Sequence, residues 1–349
     1  MMPNSTTKLR ALNVRAVCVP MQPHRTASGV VAESPLVLTD AVTEAGVIGR
    51  SITFTYTAAA LGPTADLIRN IEPLIQGDDL APLEISRKLA ARFRLLGTQG
   101  LTGMALAGID MAAWDALARL HDTPLARLLG GVERPTPAYG AVGYDGELEC
   151  ARVAEDWARR GFRGVKAKIG YPTVAEDLRV VRAMRAAVGP DIALMVDYNQ
   201  SLTPAEAIHR IRHLDGEGLA WVEEPVLAND FPGSAHVARE VVTPIQAGEN
   251  WWGPEDLRHA LDAHSTDYVM LDVMKMGGVT GWLRASSMAS AQALRISNHL
   301  WPELSAHLLS ITPNPHWLEY ADWWNPILQE PLPIENGLAT PGPPIEWRG

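Results

Sequence analysis

Two different rhythms of apolar and polar positions divide this chain. Over the first 50 or so residues, apolar side chains alternate with polar ones, and residues 12–20, 35–42 and 47–54 read as strands separated by loops. A 3.6-residue repeat follows over 64–75, 82–96 and 102–120. The last of these, TGMALAGIDMAAWDALARL, is apolar on most sides, which predicts a helix buried all round. Past residue 135, short apolar runs alternate with amphipathic stretches: AYGAVG before EDWARRGF, GVKAKIG before VAEDLRVVRAMRAAVG, IALMVDYNQ before TPAEAIHRIRHL. LAWVEEP, PIQAGEN, DYVMLDVM, LRISNHL and HWLEY continue the series, giving about eight βα repeats. The predicted fold is α/β: a (β/α)8-type, modified TIM barrel over 135–330, preceded by an α+β capping domain over 1–134. The Pro- and Gly-rich tail, 331–349, is expected to pack back on the capping domain.

Composition narrows the class. The chain has 349 residues, 47% hydrophobic and 20% charged, an ordinary globular balance. A net charge of −10 argues against a general nucleic-acid binder but not against an anionic substrate, because a few placed lysines and a metal reverse the sign locally. Cys18 and Cys150 have no metal-ligand spacing and read as buried small apolar residues in a reducing compartment. With no signal-like or membrane-spanning window, the expectation is a cytoplasmic protein, without membrane partners, that forms a homo-oligomer, possibly an octamer.

The chemistry is read from the residues that end the predicted barrel strands, where such folds carry their functional groups. Lys166 and Lys168 end the second, Asp197 and Asn199 the third, Glu223 and Glu224 the fourth, Glu249 and Asn250 the fifth. Asp272, His299 and Glu319 end the sixth, seventh and eighth. Asp197, Glu223 and Glu249 are evenly spaced (223 − 197 = 26; 249 − 223 = 26), which suggests equivalent places on adjacent strands. A lone acid there is usually a helix cap or a solvated loop residue. Three converging carboxylates repel unless a cation lies between them, and all-oxygen ligands suit Mg²⁺, with Mn²⁺ able to substitute. Lys166 and Lys168 share one strand face, and two crowded cations near a metal should depress a lysine pKa toward that of a general base. His299 and Asp272 lie on neighbouring strands, as an imidazole and the carboxylate that fixes its tautomer. Glu319, crowded by negative charge, is expected to stay protonated and donate a hydrogen bond. Three weaker signals have simpler readings: Gly277-Gly278-Val279-Thr280-Gly281 as tight packing, His209 and His213 as a solvated helix face, and the Trp251-Trp252 and Trp323-Trp324 pairs as core or interface rather than pocket lining.

Taken together, Lys-x-Lys at 166–168, Asp-Tyr-Asn-Gln at 197–200, Trp-Val-Glu-Glu-Pro at 221–225, Gly-Glu-Asn at 248–250, Ser-Asn-His-Leu at 297–300 and Trp-Leu-Glu at 317–319 resemble the enolase superfamily. Within it, the chain resembles the mandelate racemase/muconate lactonizing enzyme family, mandelate-racemase-like, and the likeness includes Gly-Ile-Asp-Met-Ala-Ala-Trp-Asp at 108–115. The resemblance implies that Asp197, Glu223 and Glu249 hold Mg²⁺ and that Lys166 grips a substrate carboxylate. It implies Lys168 as base on one face of the α-carbon, His299 with Asp272 on the other, and Glu319 as hydrogen-bond donor to the enolate. Loop 24–34, with His24, Arg25 and Ser28, would set specificity together with Phe54, Tyr56, Asn199, Ala141 and Leu300. Ala141 stands where the family racemase has a serine, Ala321 where it has a leucine, and the loop is more polar than the family's. The implied activity is racemisation of a 2-hydroxy or other α-substituted carboxylate, here one bearing a second polar or anionic group. An acid-sugar dehydratase and a non-catalytic barrel are the alternatives.

Overall fold

The computed structural model describes residues 7–348 apart from Ser28, so the expectation for Ser28 lies outside the described residues. Strands β1 (Leu9–Thr26), β2 (Gly29–Thr43) and β3 (Ile48–Phe54) form an antiparallel sheet in chain order. Alternation assigns its faces. Leu36, Leu38, Ile52 and Phe54 join the barrel's core, whereas Val37 and Ala41 pack on helices α1 (Ala58–Ile75), α2 (Pro82–Arg92) and α3 (Gly100–Leu120). Helix α3 is buried along most of its length, as its all-round apolar pattern requires, and the short α4 (Leu125–Leu128) follows. Two expectations change here. The predicted loop 24–34 is a hairpin arm, with β1 and β2 paired His24↔Val31, Arg25↔Val30 and Thr26↔Gly29; the β-branched Val30 and Val31 favour this extended ladder. Cys18 is exposed on β1, while Cys150 is buried as expected.

The barrel then runs β4 (Thr136–Val142), α5 (Gly146–Arg159), β5 (Gly164–Lys168), α6 (Val174–Val188), β6 (Ala193–Asp197), α7 (Pro204–Leu214) and β7 (Trp221–Glu223). It continues α8 (Phe231–Glu240), β8 (Ile245–Ala247), α9 (Gly253–Ala263), β9 (Tyr268–Asp272), α10 (Gly278–Ala291), β10 (Arg295–His299), α11 (Pro302–Ile311) and β11 (Leu318–Tyr320). Each strand pairs in parallel with the next from β4 to β10, and β11 pairs with β4. The sheet closes where the Ile296 N–H donates to Asn314 O (2.9 Å) and the His316 N–H to Ile296 O (2.8 Å). Eight strands are present, but the last is followed by a 3-10 turn (Asn325–Ile327) rather than a helix, since Pro326, Pro331 and Pro333 deny the segment helical hydrogen bonds.

The tail contacts the N-terminal sheet and helices through Glu346 with Arg50 (2.7 Å) and Arg119 (2.6 Å) and the Trp347 indole donating to Asp40 (2.8 Å). It also does something unexpected. Its strands β12 (Ile334–Glu335) and β13 (Leu338–Ala339) form a hairpin that adds to β4. Among the described residues no helix is long and apolar enough to cross a membrane.

Candidate active site

Strand register sets out the centre of the barrel mouth. Lys168 pairs with Asp197, Asp197 with Glu223, and His299 with Asp272, each at the C-terminal end of its strand. Glu249 does not continue this row, despite the even spacing. Gln246 takes the position opposite Glu223, and Glu249 arrives from the turn beyond β8, where Gly248 adopts φ +134°. The three carboxylates still converge: one oxygen of each lies within 4.8 Å of the others, and all three residues are buried. Glu249 Oε2 has no hydrogen-bond partner. Burial and the neighbouring Asp197 and Glu249 push Glu223 up to about 8 against the pull of Lys166. Such a cluster is short of positive charge, and its all-oxygen donor set fits a hard divalent cation.

The lysines are more tightly paired than expected. Lys166, fully buried, contacts Glu223 and lies 2.8 Å from Glu319 and 3.8 Å from Asp197. Lys168 donates to Asp197 at 2.5 Å. Burial lowers the Lys168 pKa, and Lys166 adds to that, but Asp197, Glu249 and Glu223 together raise it above the usual lysine value. The expected depression is therefore absent while Asp197 is free to pair. Glu319 also differs from expectation. Burial raises its pKa, yet Lys166, His299 and Lys168 bring it to about 2, so it is a carboxylate here, accepting from the Leu300 N–H at 3.1 Å. The cations stand closer to it than the sequence order suggested.

His299 Nδ1 lies 2.7 Å from Asp272 Oδ2, which leaves Nε2 directed to the site, 3.6 Å from Glu249 Oε2. Burial lowers the imidazole pKa, but Glu249, the Asp272 hydrogen bond and Glu319 together raise it above the usual histidine value. Above these groups His24, Thr26, Val31, Phe54, Tyr56, Asn199, Leu227, Leu300 and Trp323 join Lys168, Glu249 and His299 around one cleft. His24 packs its ring 5.1 Å from Trp323, and burial, then Lys168, lowers its pKa to about 3, so the imidazole is neutral. Arg25, one residue on, turns to the other face of β1 and pairs with Asp145 (2.8 Å). Neither Arg25 nor Ala141 lines the cleft; both line an adjoining cavity that shares His24 and Trp323 with it.

Sequence reasoning missed several neighbours. Trp323 lines the cleft although aromatic pairs are more often core. Gln246 donates to Glu223 Oε2 at 3.0 Å, and its polar side chain amid the apolar PIQAG run was the available signal. Gly278 leaves room for Asp110 of α3, whose carboxylate accepts from Thr280 and supplies α10 with the cap its own sequence lacks. His209 and His213 are solvated as expected, but Arg210 between them turns inward to Asp177 (2.9 Å).

Family comparison agrees with this geometry. Residues 149–347 match the model of the enolase C-terminal-domain-like family, and residues 10–130 that of the mandelate racemase/muconate lactonizing enzyme N-terminal domain. The chain belongs to the mandelate racemase/muconate lactonizing enzyme family. It is an enzyme of the enolase superfamily. The fold superposes with a TM-score of 0.94 on an enolase from Bradyrhizobium complexed with magnesium and mandelic acid, 44% identical over 99% of this chain and 97% of that one. A D-galactarolactone cycloisomerase of Agrobacterium fabrum is 32% identical over 80% of each chain. An L-talarate/galactarate dehydratase of Salmonella typhimurium is 29% identical over 88% of this chain and 78% of its own length. Relatives in the family thus differ in reaction while sharing the barrel.

Proposed function

We propose that this enzyme, with Mg²⁺ bound by Asp197, Glu223 and Glu249, racemises a 2-hydroxy or other α-substituted monocarboxylate whose α-substituent is neutral, with mandelate as the type compound. The observation that carries the reading is that Lys168 and His299, on the second and seventh barrel strands, enter one cleft from two sides of the carboxylate cluster. Two bases on opposite faces of an α-carbon are what inversion requires.

Bound Mg²⁺ supplies a Lewis acid for the substrate carboxylate and takes up charge from the three acidic residues. With Asp197 so engaged, burial and the adjacent Lys166 act to lower the Lys168 pKa, as a base needs. Lys166 holds the substrate carboxylate by charge. Lys168 removes the α-proton from one face and His299 Nε2 returns one to the other, while Asp272 fixes the imidazole through Nδ1. Glu319 is a carboxylate while Lys166 pairs with it; once Lys166 turns to the substrate carboxylate that pull weakens, and a proton taken up by Glu319 would meet charge growing on the substrate oxygen.

The cleft walls favour a neutral substituent over the second anionic group expected from the loop sequence. Among the described residues lining the cleft, Lys168 is the sole lysine or arginine, Arg25 is turned away, and His24 is uncharged beside Trp323, Phe54 and Tyr56. A sugar diacid has no free cation for its distal carboxylate there, which weighs against the dehydratase reading that the talarate/galactarate relative suggests. The test is polarimetry of (R)- and (S)-mandelate with and without Mg²⁺, set against 2-keto acid formation from galactarate and talarate. Keto acid formation without racemisation would reverse the assignment.

A further inference from the structure

A third buried lysine lies behind Tyr56, outside the cleft. Lys275 stands in the turn between β9 and α10, three residues past Asp272, and is 6% exposed. Its Nζ donates to Asn250 Oδ1 at 2.5 Å and lies 4.5 Å from the centre of the Tyr56 ring. Its backbone N–H donates to Asp272 Oδ1 at 2.9 Å.

These contacts reach both partners of His299. An ammonium group only donates, so the Asn250 carbonyl must face Lys275 and the amide NH₂ must face away. That NH₂ donates to Glu224 Oε2 (2.6 Å) and Glu249 Oε1 (3.3 Å), which leaves Glu249 Oε2 as the atom nearest His299 Nε2, at 3.6 Å. On the other side, the Lys275 N–H occupies Asp272 Oδ1, so Oδ2 is the oxygen that meets His299 Nδ1 (2.7 Å) and the Tyr56 hydroxyl (3.4 Å). Tyr56 itself has φ +58°, a conformation that an aromatic residue adopts at a cost unless its ring is held. The ring is held, between Phe54 at 4.5 Å and the Lys275 cation.

We infer that Lys275 is a positioning residue for the His299 side of the site, acting through Asn250 and Tyr56; the inference rests on the two-base reading above. A lysine that merely fills space would serve both faces of the substrate alike. Lys168 shares no hydrogen bond with Lys275, so its face should be spared.

Exchange of the α-hydrogen of (R)- and (S)-mandelate for deuterium, followed by NMR at saturating Mg²⁺, separates these roles in wild type, K275M and K275R. K275M should lose about ten- to a hundredfold on the enantiomer whose exchange H299N abolishes and stay within about threefold on the other. K275R should recover part of the loss. Mg²⁺ affinity is measured for each variant by calorimetry and the exchange is read at saturation, so a change in metal binding passed through Asn250 and Glu249 does not enter the comparison. If K275M fails to fold, K275Q, which can still donate to Asn250 but carries no charge, is held to the same face-selective loss. Equal loss on both faces, or no loss, in a background where wild type exchanges both enantiomers, overturns the role of Lys275 alone. Wild type exchanging one enantiomer or neither refutes the two-base reading, and this inference with it.

Discussion

Replacing Lys166 by methionine leaves an unbranched side chain one atom shorter and removes an ammonium group that faces three buried carboxylates. Glu223 is in contact with the ammonium, Glu319 is 2.8 Å away and Asp197 3.8 Å. At an effective dielectric constant of about 20, a pair 2.8 Å apart attracts by about 6 kcal/mol before desolvation. The net cost of stranding the partners of a buried charge is smaller, about 3–5 kcal/mol. K166M should therefore lose that much stability in chelator, measured by urea unfolding. The sign of the pH dependence follows. Stranded carboxylates have raised pKa values in the fold, so their protonated forms are the stable ones, and the deficit should widen from about pH 4, where acids ionise in the unfolded chain, toward pH 8. Saturating Mg²⁺ supplies replacement charge to Asp197 and Glu223, so the deficit should shrink in its presence. A loss below about 1 kcal/mol in chelator, or one unchanged by Mg²⁺, would show that Lys166 is not the counter-charge of the cluster.

Three other outcomes are expected. E249Q should bind Mg²⁺ more weakly by calorimetry, by on the order of tenfold or more, because it removes the charge on the carboxylate whose Oε2 lacks a hydrogen bond. His24 has a depressed pKa in the fold, so its contribution to stability is complete above about pH 6.5 and is lost as pH falls toward about 3; H24Q should flatten acid unfolding across that window. R25M should change the kcat/KM ratio of mandelate to a dicarboxylate analogue by less than about threefold, because an exposed ion pair outside the cleft contributes at most about 1 kcal/mol.

The barrel was legible because its signal is periodic: apolar strand runs end in ionisable residues at intervals close to one βα unit. Lys168, Asp197, Glu223, Asp272 and His299 stand at the C-terminal ends of their strands, with Lys166 two residues and Glu319 one residue before theirs. Spacing failed for Glu249, since chain length between residues does not distinguish a strand end from the turn past it. Ionisation states were not legible either. They depend on which partners are near in space, and the cations beside Glu319 and the carboxylates around Lys168 decided them. The hairpin arm hid its geometry for a related reason. Residues His24 and Arg25 are equally polar in sequence, but strand alternation sends one to the cleft and the other to Asp145.

The account turns on two bases acting on opposite faces of one carbon. Deuterium exchange of each mandelate enantiomer by K168A and by H299N, at saturating Mg²⁺, tests it most directly. Each variant should lose racemisation yet keep exchange with one enantiomer, and the two should keep opposite ones. Loss of exchange with the same enantiomer in both variants, or racemisation surviving either substitution, would contradict it.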